Sequence, residues 1–228
     1  MVRQPTFNPK STPLRPCKGG NLTSKINMNP QVLEQPSSHL NQEKRFTLRG
    51  VSWQQYKALE ADLEAIPGVW LSYFHGTLEF MTISEEHEYP KSLIGTLVEL
   101  YLLEIGVRHY RRGGPTLKKE PDVELMPDET FHFESKKTVP DIAVEVIVTS
   151  GSTDKLKGYK TLNFPEVWFW KNGKLSLYYL REGSYQEITQ STFMPDLDLA
   201  LLVCCANMSD QYDAVTEFRS AIRQKSEW

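Results

Sequence analysis

The run Asp141-Ile-Ala-Val-Glu-Val-Ile-Val148 limits the fold of this chain more than any other feature. It is an apolar β run with one carboxylate, Glu145, at its middle. Alternation along a strand puts Asp141, Ala143, Glu145 and Ile147 on one face and Ile142, Val144, Val146 and Val148 on the other. The second set reads as core. An ionised carboxylate on a strand of this kind costs several kcal/mol unless it finds a partner. The fold must therefore supply one.

The preceding acidic stretch, Asp128-Glu-Thr-Phe-His-Phe133, offers a candidate. Asp128, Thr130 and His132 share one face, and Phe131 and Phe133 share the other. If the two strands pair with their apolar faces aligned, Asp128 and Glu145 approach each other. The helix that follows begins near Ser152, a natural cap, and carries Lys155 and Tyr159 four residues apart on one face. A lysine in a helix's first turn opposes the macrodipole, which hints at a use for it. Two strand carboxylates and a nearby lysine make a seat for a divalent cation and an activated water. The plainer reading also stands: acids at strand ends, such as Asp128 and Asp141, are often only solvated.

The other elements follow from local signals. Ser52 caps a helix with Gln55 three residues on, Tyr56, Leu59, Leu63 and Ile66 form its face, and Pro67-Gly68 ends it. Val69–Phe74 and Thr77–Ile83 read as a hairpin about His75-Gly76. A long core helix is expected from Pro90, with Leu93, Ile94, Leu97, Val98, Tyr101, Leu102 and Ile105 on its buried stripe and Gly106 as its stop. Three late strands turn at Asn172-Gly173 and Glu182-Gly183. A last helix carries Tyr212, Val215, Phe218 and Ile222. The sum is α+β, with one mixed sheet flanked by helices.

The 228 residues suit one domain over residues 45–228 behind a tail over residues 1–44 that has too little apolar content to order itself. The formal net charge of −3 gives no global attraction to polyanions. No run approaches a membrane span and no apolar leader is evident. Cys17 and the adjacent Cys204-Cys205 have no ligand spacing, so a reduced, cytoplasmic setting is expected, with the adjacent pair buried and inert. Any nucleic-acid affinity must come from a local patch. Arg108, Arg111, Arg112, Lys118 and Lys119 form one by sequence, with Lys136 and Lys137 nearby; a solvated basic edge strand is the equal alternative.

The segments PDETFHF, VPDIAVEVIVTSGSTDKLKGYKTLNFPEVWFW and GKLSLYYL, with Phe80-Met81-Thr82-Ile83 and His87-Glu88 upstream, resemble the bacterial restriction-endonuclease-like family of the PD-(D/E)XK nuclease superfamily. The resemblance spans about Phe46 to Arg219. It implies a restriction-endonuclease-like core, an Mg²⁺- or Mn²⁺-dependent endonuclease, a DNA substrate and a homodimer. It further implies Asp128 and Glu145 as metal ligands and catalytic acids, and Lys155 as the catalytic lysine. Glu88 would be an auxiliary catalytic acid, with His87 and Asp141 as auxiliary residues. The superfamily's usual lysine position, two residues after the acid, is Ile147 here, so that role passes to the following helix. Of four Pro-Asp pairs, those at Asp122 and Asp196 read as loops. The alternatives are a catalytically inactive nuclease-fold module that binds nucleic acid or a protein partner, and a ligand-binding α+β domain.

Overall fold

The computed structural model describes residues 44–82, 84–148 and 152–226. The expected tail, apart from Lys44, lies outside the described residues, as do Ile83 and the side chain of Ser152. Strand β1 (Arg45–Arg49) leads into α1 (Trp53–Leu63). The cap of α1 is the reciprocal one expected: Gln55 N–H donates to the Ser52 hydroxyl at 3.2 Å, and Ser52 N–H donates to the Gln55 side chain at 2.8 Å. The helix stops at Leu63, so Ile66 lies beyond it and is exposed. Strands β2 (Val69–Phe74) and β3 (Thr77–Thr82) form the expected hairpin. His75 at φ 41° and Gly76 at φ 80° supply the left-handed pair that a two-residue turn requires.

Helix α2 (Glu85–Glu104) begins five residues before the expected start at Pro90. Ser84 caps it by accepting from His87 N–H at 3.2 Å, and Glu85, Glu86 and Glu88 favour its positive end. These outweigh the carbonyl of Glu86 that Pro90 leaves without a donor. At the other end Val107 N–H donates to Leu102 O and Gly106 N–H to Leu103 O, the paired closure that a glycine with positive φ permits.

Beyond α2 come β4 (His109–Arg112), β5 (Leu117–Lys119), β6 (Val123–Leu125), β7 (Glu129–Phe133) and β8 (Ile142–Ile147). Then follow α3 (Ser152–Thr161), β9 (Glu166–Lys171), β10 (Lys174–Arg181), β11 (Ser184–Ile188), α4 (Leu199–Ala206) and α5 (Gln211–Ser226). The fold is α+β, but the strands divide between two sheets where one was expected. The first is antiparallel, in the order β1-β3-β2-β6-β5, and the second is mixed, in the order β11-β10-β9-β8-β7-β4, with β8 and β9 parallel.

Two apolar clusters occupy the two faces of the second sheet. Ile142, Val144 and Val146 of β8 meet Leu93, Leu97 and Val98 of α2 and Phe218 of α5. Ala143 and Ile147, on the opposite face, meet Tyr159 and Leu162 of α3 and Val123 and Leu125 of β6. A strand buried on both faces explains the near-continuous apolar run in the sequence. The first sheet also has two faces: Tyr73 and Leu78 pack under α1, while Trp70, Ser72 and Phe74 look the other way, toward α3 and the second sheet.

Two further expectations change. Tyr212 is exposed at 77% and lies off the buried face of α5, which Phe218 and Ile222 share with Ala214. Cys204 is exposed and only Cys205 is buried. Among the described residues no helix is long and apolar enough to cross a membrane.

Candidate functional site

The pairing of β7 with β8 sets Glu129 opposite Val144, Thr130 opposite Ala143 and Phe131 opposite Ile142. Asp128 sits one residue before that ladder begins. Its Oδ2 accepts from Val146 N–H at 2.7 Å, replacing the strand partner that β7 no longer provides. His87, in the first turn of α2, brings its Nε2 to 3.2 Å from the same oxygen. Its Nδ1 lies 3.2 Å from Glu88 Oε1, and Lys91 Nζ donates to both oxygens of Glu88 at 3.2 Å. Burial alone would raise the Asp128 carboxyl. His87, the charge of Lys155 and the Val146 N–H outweigh burial and hold it below the usual carboxylate value.

Glu145 is 2% exposed, and both its oxygens are engaged from α3. Lys155 Nζ donates to Oε2 at 2.6 Å, and the Tyr159 hydroxyl donates to Oε1. Residues four apart on a helix face one way, so one helix face holds one carboxylate. Gly158 eases this approach: a Cβ there would lie 2.7 Å from Leu125 Cδ1, so a larger residue would require the Leu125 side chain or α3 to shift. Burial drives the Glu145 carboxyl upward and the neighbouring Asp128 adds to the rise, against the opposing pull of Lys155 and Tyr159. For Lys155, loss of water favours the neutral amine, but Glu145, with Asp128 and Glu79 behind it, outweighs that loss and keeps the ammonium charged.

Asp128, Glu145, Lys155, His87 and Glu88 all line one cleft, roofed by the side chains of Trp70 and Met81 of the first sheet. The cleft encloses a cavity of about 40 Å³, room for a small ion and a water rather than a nucleotide. The structure thus brings together five of the residues singled out from the sequence. Asp141 is not among them. It stands four residues along β8 from Glu145, about 13 Å away, where it accepts from Phe133 N–H at 2.9 Å and from Lys137 Nζ at 2.6 Å and 2.8 Å. It latches the β7–β8 connection.

The basic set is dispersed. Arg108, Arg111 and Arg112 belong to the edge of the second sheet, and Lys118 and Lys119 to the edge of the first. Arg111 is packed against Gly95 and spent on acids: its guanidinium donates to Glu129 at 2.7 Å and 3.0 Å and to Glu99 at 3.1 Å. Lys118 pairs with Glu120 at 2.8 Å. Lys136 lies over the Tyr110 ring at 5.2 Å. Tyr159 is the residue of the carboxylate cluster to which the sequence reading gave no role; its spacing from Lys155 was the available signal.

Such a chain is an α+β protein, two sheets with helices against them. More specifically it belongs to the Uma2 family, described as "Putative restriction endonuclease", whose profile matches residues 53–203, well over half of the 228 residues. Comparison with curated proteins gives no match.

Proposed function

We propose that this protein is a metal-dependent endonuclease that hydrolyses phosphodiester bonds of DNA. The observation that carries the reading is the meeting of two buried carboxylates, Asp128 and Glu145, with a charged lysine in one cleft. The donor set suits Mg²⁺ or Mn²⁺: among the described residues Asp128 Oδ1 has no hydrogen-bond donor, and a small hard cation binds through one or two carboxylates while keeping its waters. Asp128 and Glu145 would hold the ion, which supplies Lewis-acid polarisation of a phosphoryl oxygen and a more acidic water.

The chain's own groups do the rest. Lys155, kept protonated, is no general base; it presents a fixed positive charge to the negative charge that grows on the phosphoryl oxygens. His87 orients Asp128 from α2, and Tyr159 orients Glu145 from α3. Trp70 and Met81 limit water above the acids.

One observation favours a second reading, a nuclease-fold module without activity. Lys155 already engages Glu145, and no group of three or more His, Cys, Asp or Glu side chains is gathered for a metal among the described residues. Incubation of supercoiled plasmid and labelled single strands with Mg²⁺ or Mn²⁺ separates the two. Cleavage by the wild type that Glu145→Ala abolishes supports the nuclease; equal cleavage by both places the activity elsewhere, and none by either favours the binding module.

A further inference from the structure

The carboxylate cleft does not end at Lys155. A second, wider concavity shares Ser72, Glu79, Leu125 and Lys155 with it and continues between the inner face of the first sheet and α3. Its volume is about 450 Å³, against about 40 Å³ beside the acids. Its walls follow from strand register. Arg49 of β1 stands opposite Thr77 of β3, and Thr77 opposite Phe74 of β2, so all three side chains leave the sheet on the same side. Lys157 comes from the facing helix. The floor closes where Gly158 meets Leu125.

The charge along this groove is mostly positive. Arg49 and Lys157 are exposed, and Lys155 marks the junction with the acids. Among the described lining residues the one acid, Glu79, already accepts from Arg45 at 3.1 Å. Aromatic surface accompanies the charge: the His75 ring stands edge-on to Phe74 with centroids 4.5 Å apart, and its imidazole is half exposed. Basic side chains tracking a backbone, with ring faces for bases, are how proteins hold single strands. The described residues that line the groove project no helix or ribbon that would enter the groove of a duplex. The rival basic set is split between two sheet edges and so offers no continuous track.

We propose that this groove binds single-stranded nucleic acid, with phosphates on Arg49 and Lys157, and leads one phosphodiester to Asp128 and Glu145. The proposal rests on the nuclease reading for the bond that reacts, and not for binding itself.

The test measures fluorescence anisotropy of short labelled oligonucleotides in EDTA, where nothing is cut. Full-length wild type is compared with Arg49→Glu, Lys157→Glu, the milder Arg49→Ala, and Arg112→Glu combined with Lys119→Glu for the rival surface. Circular dichroism and thermal melting verify each fold. The wild type should bind a single strand at least about tenfold more tightly than the matching duplex. Each groove reversal should weaken that binding about tenfold and flatten the salt dependence by about 0.7 for every phosphate no longer neutralised. Deoxy and ribo strands are compared in parallel; preference for either upholds the groove and names its sugar. Duplex bound as tightly as single strand, or a greater loss from the rival surface than from the groove, overturns the proposal. Binding lost in Arg49→Glu with no cleavage by any form would keep the groove and remove the nuclease. Cleavage of single strands at full rate by both reversals would do the opposite.

Discussion

Replacing Lys155 by Met tests the buried pair on which the site depends. The substitution keeps the bulk of the stem and removes the charge that Glu145 accepts at 2.6 Å. Glu145 is 2% exposed, so its ionised form then has only the Tyr159 hydroxyl for support, with Asp128 repelling it. The carboxyl escapes by keeping its proton. In the unfolded chain it titrates near 4.3, so the folded variant loses about 1.4 kcal/mol for each pH unit above that value. This gives about 1 kcal/mol at pH 5 and a ceiling of about 5 kcal/mol at pH 8, matching the roughly 3–5 kcal/mol typical of a broken buried pair. The sign is that of a carboxyl whose folded pKa is raised: stability falls as pH rises from the unfolded value toward the folded one. The Glu145 carboxyl is already raised in the wild type, so urea denaturation of wild type and variant at pH 5 and pH 8 reads the additional loss caused by removing Lys155. Adding Glu145→Gln to Lys155→Met should restore much of the loss at pH 8. A destabilisation equal at both pH values, or absent at pH 8, would show that Lys155 does not hold Glu145 in its ionised form.

Other outcomes follow from the same geometry. Tyr159→Phe removes a donor to Glu145 and should cost about 1.5–3 kcal/mol in thermal or urea denaturation, with weaker Mn²⁺ binding. Gly158→Ala places a methyl against Leu125 and should cost about 1–3 kcal/mol; a fall in cleavage activity beside it would show that α3, rather than the Leu125 side chain, gives way and carries Lys155 and Tyr159 with it. Arg111→Met should destabilise the fold by about 2–4 kcal/mol, as it strands Glu129, yet leave single-strand affinity within about twofold; anisotropy and melting on one preparation test both. Asp128 is held below its usual value, so its contribution is present above about pH 3.9 and disappears as pH falls through the folded value. Asp128→Asn should therefore flatten the acid limb of stability measured by urea denaturation.

What the sequence made legible was local. Two-residue turns at His75-Gly76, Asn172-Gly173 and Glu182-Gly183 each carry positive φ at both positions, and all three hairpins were readable from those dipeptides. The strands β5 and β6 have three residues each, too few to display a period, and so the division into two sheets was invisible. Helix α4 is apolar at every position, which erases amphipathic periodicity. The start of α2 was obscured because Pro90 is a strong local signal, overruled by a cap six residues earlier. Within the site, alternation alone put Asp128 and Glu145 on facing positions. The engagement of Arg111 by Glu99 and Glu129, and the groove beside Arg49, depend on contacts between elements far apart in sequence, which no spacing rule exposes.

The central claim is that Asp128 and Glu145 together hold a divalent ion, and Mn²⁺ titration followed by electron paramagnetic resonance tests it without needing a substrate. Wild type, Asp128→Asn and Glu145→Gln would be compared after circular dichroism confirms that each is folded. The account predicts one bound ion per chain in the wild type and its loss in both variants. Unchanged Mn²⁺ binding in the two folded variants, or none in the wild type, would contradict it.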